Sequence, residues 1–303
     1  MNALIILGLL VVLMLTGMPI SISLGLTVLS FLFFLTEVPI ESVALKLFTG
    51  IEKFEIMAIP FFILAGNFLT HGGVARRMIA FATSMVGHWH GGLGLGGVLA
   101  CALFAAVSGS SPATVVAIGS ILMPAMVKAG FPKGFGAGVI TTSGALGILI
   151  PPSIVMVMYS VSTNTSVGAL FMAGVIPGLL LAFFLGLTTW YRAKKNNYPC
   201  QPKATWAERW VSFRKAIWGL LLIVVVMGGI YTGIFTPTEA AAMSAVYAFV
   251  VAVFVYKDMG MKDVPRVLLN SANMSAMLLY IITNAVLFSF VLANENIPQQ
   301  LAD

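Results

Sequence analysis

Apolar runs that approach or exceed membrane-crossing length recur from one end of the chain to the other, and this restricts its fold more than any other feature. A helix needs about 20 mostly apolar residues to cross ~30 Å of hydrocarbon. Helical spans are read at 3–16, 20–35, 56–70, 134–160, 168–190, 216–232, 238–256 and 274–293. Lipid cannot hydrogen-bond a bare backbone, so only helices or a closed barrel can span it, and the alternation that a barrel strand needs is absent. The expected fold class is an all-α polytopic membrane protein. Charged residues are 9% of the 303, hydrophobic ones 59%, and the mean hydropathy is +1.02. A soluble domain carries roughly 25% charged residues; this chain has too few to cover a water-facing surface. The apolar start, 3–15, has no basic residue before it and no small-residue cleavage site after it, so it reads as a retained helix rather than a removed signal peptide.

Two segments break the simple pattern. Within 97–127 the sequence Ser108-Gly109-Ser110-Ser111-Pro112 interrupts an apolar run. Flanks of 12 to 15 residues, roughly 18 to 22 Å of helix, cross poorly, and predict a re-entrant helical hairpin with its tip inside the membrane. Within 134–160 the breaks are Thr141-Thr142-Ser143-Gly144 and Gly147-Ile148-Leu149-Ile150-Pro151-Pro152-Ser153. Two successive prolines remove two backbone donors and clash with the preceding turn, so this helix is expected to unwind and free its carbonyls.

Charge placement supports that topology. With the N-terminus outside and the hairpin returning to its own side, the fourteen residues Arg76, Arg77, Lys128, Lys133, Arg192, Lys194, Lys195, Lys203, Arg209, Arg214, Lys215, Lys257, Lys262 and Arg266 are cytoplasmic, and only Lys46 and Lys53 lie outside. That is a strong positive-inside bias. It also explains the net charge of +6 without nucleic acid, since the basic residues sit beside spans. The basic stretch 191–215, with Trp206 and Trp210 in it and Trp218 just beyond, is expected to lie along the cytoplasmic interface. Cys101 and Cys200 show neither metal spacing nor a disulfide framework.

The chemistry available is neutral. No acidic residue occurs between Glu55 and Glu208, so the breaks offer no carboxylate for a proton relay. They offer the hydroxyls of Ser108, Ser110, Ser111 and Thr114, those of Thr141, Thr142 and Ser143, and the backbone from Gly144 to Pro151. Neutral oxygens at broken helices suit Na⁺, and half-helix N-termini attract anions; sodium coupling to an anionic substrate is the expectation. The plainer alternative is that these small residues only let helices pack closely. His88 and His90, flanking Trp89, read as interfacial anchors. Asn67 reads as an interhelical hydrogen bond, and Glu239 after Thr236-Pro237-Thr238 as a helix cap. No phosphate loop, metal cluster or nucleophile with a paired base is present, so an enzyme is not expected and no cofactor beyond sodium as coupling ion.

A faint internal repeat relates Thr16-Gly17-Met18-Pro19 to Thr232-Gly233-Ile234-Phe235-Thr236-Pro237, each entering a helix. An amphipathic stretch follows each pair, at 40–53 and 264–273. The halves begin on opposite sides of the membrane, an inverted design common in transporters. At that period the second hairpin would begin beyond residue 303, so the C-terminal part of the second repeat is expected to be missing.

Together these segments resemble the large membrane subunit of tripartite ATP-independent periplasmic (TRAP) transporters. The likeness lies in Ile59-Pro60-Phe61-Phe62 with Ala65-Gly66-Asn67, Ser108-Gly109-Ser110-Ser111-Pro112-Ala113-Thr114, Gly147-Ile148-Leu149-Ile150-Pro151-Pro152-Ser153 and Gly233-Ile234-Phe235-Thr236-Pro237-Thr238-Glu239-Ala240-Ala241. The resemblance implies sodium-driven uptake of a carboxylate delivered by a periplasmic substrate-binding protein, in a bacterial inner membrane and without ATP. It implies an elevator braced by a small four-helix membrane subunit. Scaffold helices would occupy 1–56 and 216–273, with 191–215 as linker; the transport domain would occupy 57–190 and begin again at 274–303. Sodium would be held by Ser108, Gly109, Ser110, Ser111, Gly144, Gly147 and Pro151, and substrate by Thr114, Thr141, Thr142, Ser143 and Ser153. Overall likeness, with Asn294-Glu295-Asn296-Ile297-Pro298, leans towards the sialic-acid branch, with C4-dicarboxylates or other sugar acids next. The alternatives are a stand-alone sodium/carboxylate symporter, a non-transporting scaffold and a channel; a channel needs a continuous polar pathway, whereas the hydroxyls here cluster at two breaks.

Overall fold

The computed structural model describes residues 2–35, 40–295, 297 and 299, and every regular element among them is helical. The chain opens with α1 (Asn2–Leu15), α2 (Ile20–Leu35) and α3 (Ile40–Thr49). After a 3₁₀ turn at Phe54–Met57 come α4 (Ala58–His71), α5 (Val74–Val86), α6 (Gly92–Ser108), α7 (Ser111–Lys128), α8 (Lys133–Gly144), the single turn α9 (Leu146–Leu149) and α10 (Ile154–Thr163). Then follow α11 (Val167–Lys195), α12 (Trp206–Tyr231), α13 (Pro237–Val250) with a π-helical turn at Val251–Val255, and α14 (Val264–Asn294). Among the described residues six helical stretches are long and apolar enough to cross a membrane, and Lys133–Leu149 with Ile154–Thr163, bent by 42°, makes a seventh if counted as one span. Within the expected stretch 274–303, residues 296, 298 and 300–303 lie outside the described residues, and with them two positions of the Asn294 to Pro298 motif.

The chain divides into two compact units, 1–56 with 273–303, and 57–272. In the first, α1, α2, α3 and the later part of α14 bury Ile6, Val28, Phe31, Leu32, Val43, Leu287 and Val291. A buried amide needs a partner, and Asn284 on α14 donates its Nδ2 to the Tyr280 carbonyl at 2.9 Å.

In the second unit α4 lies along α13, with Phe68 edge-on to Phe249 at 5.5 Å, and α5 lies along α12, with Phe81 and Phe213 5.7 Å apart. Asn67 donates to the Ser271 hydroxyl at 2.7 Å, the interhelical bond expected of it. Glu239 is the expected cap: its Oε2 accepts from the Thr236 N–H at 2.8 Å while Thr236 Oγ1 accepts from the Glu239 N–H at 3.3 Å. Such a reciprocal box satisfies two helix-end donors at once. The two repeat-like turns match locally. Thr16 and Thr232 donate back to Leu13 and Gly228, and Gly17 and Gly233 follow at φ of 82° and 75°.

Two expectations need correction. The hairpin arms α6 and α7 have 17 and 18 residues, about 26 and 27 Å of axis, because 92–96 and Lys128 continue the helices; arm length does not argue for a tip inside the membrane. The stretch 191–215 is not a continuous linker, since α11 runs to Lys195 and α12 starts at Trp206 behind a Thr205–Glu208 capping box. The helix α5 lies outside the expected spans and is not one. With 13 residues and Arg76 and Arg77 near its start it lacks the length and hydropathy of a span, and it owes its burial to α6 and α12.

Those arginines form a cluster with Asp258, just beyond the π-helical turn. Arg76 reaches Asp258 at 3.2 Å, and Arg77 binds the other carboxylate oxygen. The Arg77 guanidinium also lies 3.8 Å from the Tyr256 ring centroid, and the Tyr256 hydroxyl donates to the Lys215 carbonyl at 2.6 Å. The Asp258→Ala variant is expected to lose about 1.5–3 kcal/mol, the scale for hydrogen bonds to charged groups. Arg76→Ala, at a side chain 64% exposed, should lose less than about 1 kcal/mol. Thermal unfolding of the detergent-solubilised protein checks the order of the two.

Candidate functional site

The site is built where α6 ends. Gly109 closes that helix at φ 62°, a left-handed conformation that glycine adopts without steric cost, and its N–H still bonds the Ala105 carbonyl at 3.0 Å. Ser110 then caps α7, its Oγ accepting from the Ala113 N–H at 3.5 Å, and Pro112 sits in the first turn where no backbone donor is lost. The break expected from this sequence is thus a tight reversal between two helices that pack against each other.

The second broken element docks on this tip. The Ile154 N–H, first of α10, donates to the Gly109 carbonyl at 3.0 Å. A Cβ on Gly109 would come within 2.8 Å of the Pro152 carbonyl oxygen. From the other side of the break, a Cβ on Gly147 would lie 2.8 Å from the Ser111 nitrogen and 3.0 Å from the Ser110 carbonyl carbon. The starts of α7 and α10, both preceded by a serine in extended conformation, are therefore held side by side, and helix N-termini carry partial positive charge.

Buried neutral oxygens gather at the junction. Ser108 and Thr114 are fully buried, with their hydroxyl oxygens 3.1 Å apart. Thr114 donates to the Ser110 carbonyl at 2.8 Å, and Ser108 Oγ accepts from the Ser110 N–H at 3.5 Å. Ser153, also fully buried, donates to the Ile148 carbonyl at 2.7 Å across the unwound turn. Ser143, next to Gly144 on α8, is not among these contacts: its Oγ is buried and has no hydrogen-bond partner among the described residues, a condition that costs free energy unless something else meets it. Among the described residues no three His, Cys, Asp or Glu side chains converge on a metal site. A cation held here would have only hydroxyl and carbonyl oxygens, the donor set that suits a small alkali ion at a broken helix.

Of the expected site residues, the structure brings Ser108, Gly109, Ser110, Ser111, Thr114, Gly144, Gly147 and Ser153 to this junction; Gly144 lies against Val115 and the Ser111 carbonyl. Pro151 is buried in the unwound turn and is joined to Pro152 by a cis peptide. Thr141 and Thr142 lie apart from it. Both are exposed, and Thr142 donates to the Gly138 carbonyl of its own helix at 2.7 Å. Thr142 instead borders a cavity of about 310 Å³ shared with Thr188, Thr189 and Arg192 of α11.

Two residues that sequence reasoning missed also shape the junction. Gly66 on α4 packs against Ser108, and Gly174 on α11 against the Leu149 carbonyl oxygen, at 3.2 and 2.6 Å for a built Cβ. The Ala65-Gly66-Asn67 triplet and the glycines flanking Pro177 were the available signals, but neither says which neighbour comes close.

Residues 7–303 match the family model described as tripartite ATP-independent periplasmic transporter, DctM component. The chain is 75% identical over its whole length to the C4-dicarboxylate TRAP transporter large permease protein of Rhodobacter capsulatus, spanning 72% of that protein. It is 55% identical over 87% of its length to the protein of the same name from Pseudomonas aeruginosa, spanning 62% of it. The sialic acid TRAP transporter large permease protein of Vibrio cholerae is 37% identical over 96% of this chain and 68% of its own length. The leaning towards the sialic-acid branch is corrected by these figures, because the likeness to the C4-dicarboxylate proteins is much greater.

Proposed function

Since this chain belongs to the tripartite ATP-independent periplasmic transporter family as its DctM component, a multi-span large permease and not an enzyme, we propose that it carries a C4-dicarboxylate inward, driven by sodium. C4-dicarboxylate replaces sialic acid as the favoured cargo, on the strength of the 75% and 55% identical relatives. In this reading the protein lies in a bacterial inner membrane with its N-terminus periplasmic, paired with a small four-helix membrane subunit and supplied by a periplasmic binding protein.

The observation that carries the reading is the docking of the α10 start onto the Gly109 carbonyl, beside the Ser108–Thr114 hydroxyl pair. Sodium among the neutral oxygens would offset the desolvation of a carboxylate drawn to the two helix N-termini. Each ligand would then bind better with the other present, and that mutual preference is the coupling. The transport half would carry both across as an elevator, with the hairpin tip as a re-entrant gate.

The full-length protein, reconstituted with its small subunit in liposomes, tests this. Uptake of a labelled four-carbon dicarboxylate is expected only with both an inward sodium gradient and the binding protein, and labelled sialic acid should not enter. Uptake that ignores sodium overturns the coupling, and uptake without binding protein favours a stand-alone symporter.

A further inference from the structure

A second site lies on the α6 and α11 faces, outside the junction. An apolar trench of about 510 Å³ runs between the two helices, walled by Leu95, Leu99 and Ala102 of α6 and by Phe183, Gly186 and Trp190 of α11. From Ala182 to Trp190 it follows nine residues of α11, about 12 Å of helix axis. At one end Trp89 and Trp190 lead into an adjoining cavity of about 320 Å³ whose remaining walls are His88 and His90. The two cavities thus form one groove, apolar along its length and with the imidazoles of His88 and His90 at its mouth.

The mouth has a definite charge character. Lys194 lies over the Trp190 ring at 5.1 Å, and Lys195 follows it in the last turn of the same helix. Gln201 donates its N–H to the Gly87 carbonyl at 3.0 Å, which fixes the 196–205 connection beside His88. His88 Nδ1 is buried and has no hydrogen-bond partner among the described residues. Among the described residues neither Lys194 nor Lys195 is in an ion pair, the salt bridges there being those of Arg76 and Arg77 with Asp258.

From this we infer that the groove holds an anionic phospholipid, one acyl chain in the trench and the phosphate at His88, His90 and Lys194. A hydrocarbon chain matches a lining with almost no polar surface. Paired tryptophans mark the depth where chains meet headgroups, and lysine near the surface attracts anionic lipids. The lipid ties the end of α11 to the α5–α6 turn. This inference concerns neither cargo nor coupling ion, so it stands or falls separately from the proposed transport.

Native mass spectrometry of the purified full-length protein in neutral detergent tests it, titrated with phosphatidylglycerol or with phosphatidylcholine of the same chains. One phosphatidylglycerol should be retained with a preference of about fivefold or more over phosphatidylcholine, the effect of about one lysine near a lipid phosphate. The Gly186→Phe variant should lose that lipid; a Cβ there meets only Leu95 at 3.9 Å, so the ring enters the trench without a backbone clash. Ala102→Phe plugs the opposite wall and decides the matter if Gly186→Phe fails to fold. Lys194→Gln should lower the preference while leaving phosphatidylcholine retention unchanged. Equal retention of both lipids by the unaltered protein overturns the inference, as does undiminished retention in a folded plugged variant, which would leave the trench to another helix.

Discussion

Valine in place of Gly147 is expected to abolish uptake while the protein still reaches the membrane. A Cβ at this position would come within 2.8 to 3.0 Å of the Ser111 nitrogen, the Ser110 carbonyl carbon and the Ser111 Cα. Real Cβ atoms essentially never come closer than 3.0 Å, and here the neighbour is backbone, so the tip or the broken helix must move. Overpacking of this kind costs about 1–3 kcal/mol, and a β-branched residue stiffens the turn further. If that cost falls on the docked state, uptake drops about a hundredfold, which is what ~3 kcal/mol corresponds to. Gly138→Val on the same broken helix is the control: nothing lies within 4 Å of its built Cβ, and uptake should stay near the unaltered rate. Equal uptake in both variants would mean that the contact between tip and break is not used in transport.

The second large effect concerns sodium. Ser108→Ala removes a hydroxyl that is fully buried and 3.1 Å from that of Thr114. Leaving a buried polar partner unsatisfied costs about 1–3 kcal/mol, so the sodium concentration for half-maximal uptake should rise about tenfold or more. Thr114→Val should do the same because it removes the other member of the pair. The double variant should be little worse than either single one, since groups in one network do not add independently. A sodium response unchanged in all three variants would reduce the hydroxyl pair to packing.

The two breaks were legible because their cause is local. Serine, glycine and proline end helices by their own backbone chemistry, so Gly109-Ser110 and Pro151-Pro152 could be placed without knowing a neighbour. The capping role of Glu239 was legible for the same reason. The equivalent Thr205–Glu208 box carries the same spacing, yet the run of basic residues around it reads as a linker, and α12 begins ten residues earlier than hydropathy places it.

What the sequence could not supply was direction and partner. Successive helical residues turn by about 100°, so the run Thr141-Thr142-Ser143 faces three ways; the structure buries Ser143 and exposes the other two. Asn67 reads as an interhelical hydrogen bond, but Ser271, its partner 204 residues away, carries no signal that pairs them. Gly66 and Gly174 matter only through what approaches them, Ser108 and Leu149, and this is a tertiary fact. α5 escaped notice because its burial comes from two neighbouring helices rather than from its own hydropathy.

The central claim is that sodium and a dicarboxylate meet at the hairpin tip rather than at the exposed threonines. The most direct measurement is the rate of alkylation by a maleimide, in membrane vesicles, of the full-length Ser111→Cys and Thr142→Cys variants. Both carry Cys200→Ser, since Cys200 is exposed and Cys101 is buried. The account predicts that sodium with a C4-dicarboxylate slows labelling at position 111 by about tenfold or more and leaves position 142 unchanged. Protection at position 142 with none at position 111 would contradict it and move the binding site to the α8–α11 cavity beside Arg192.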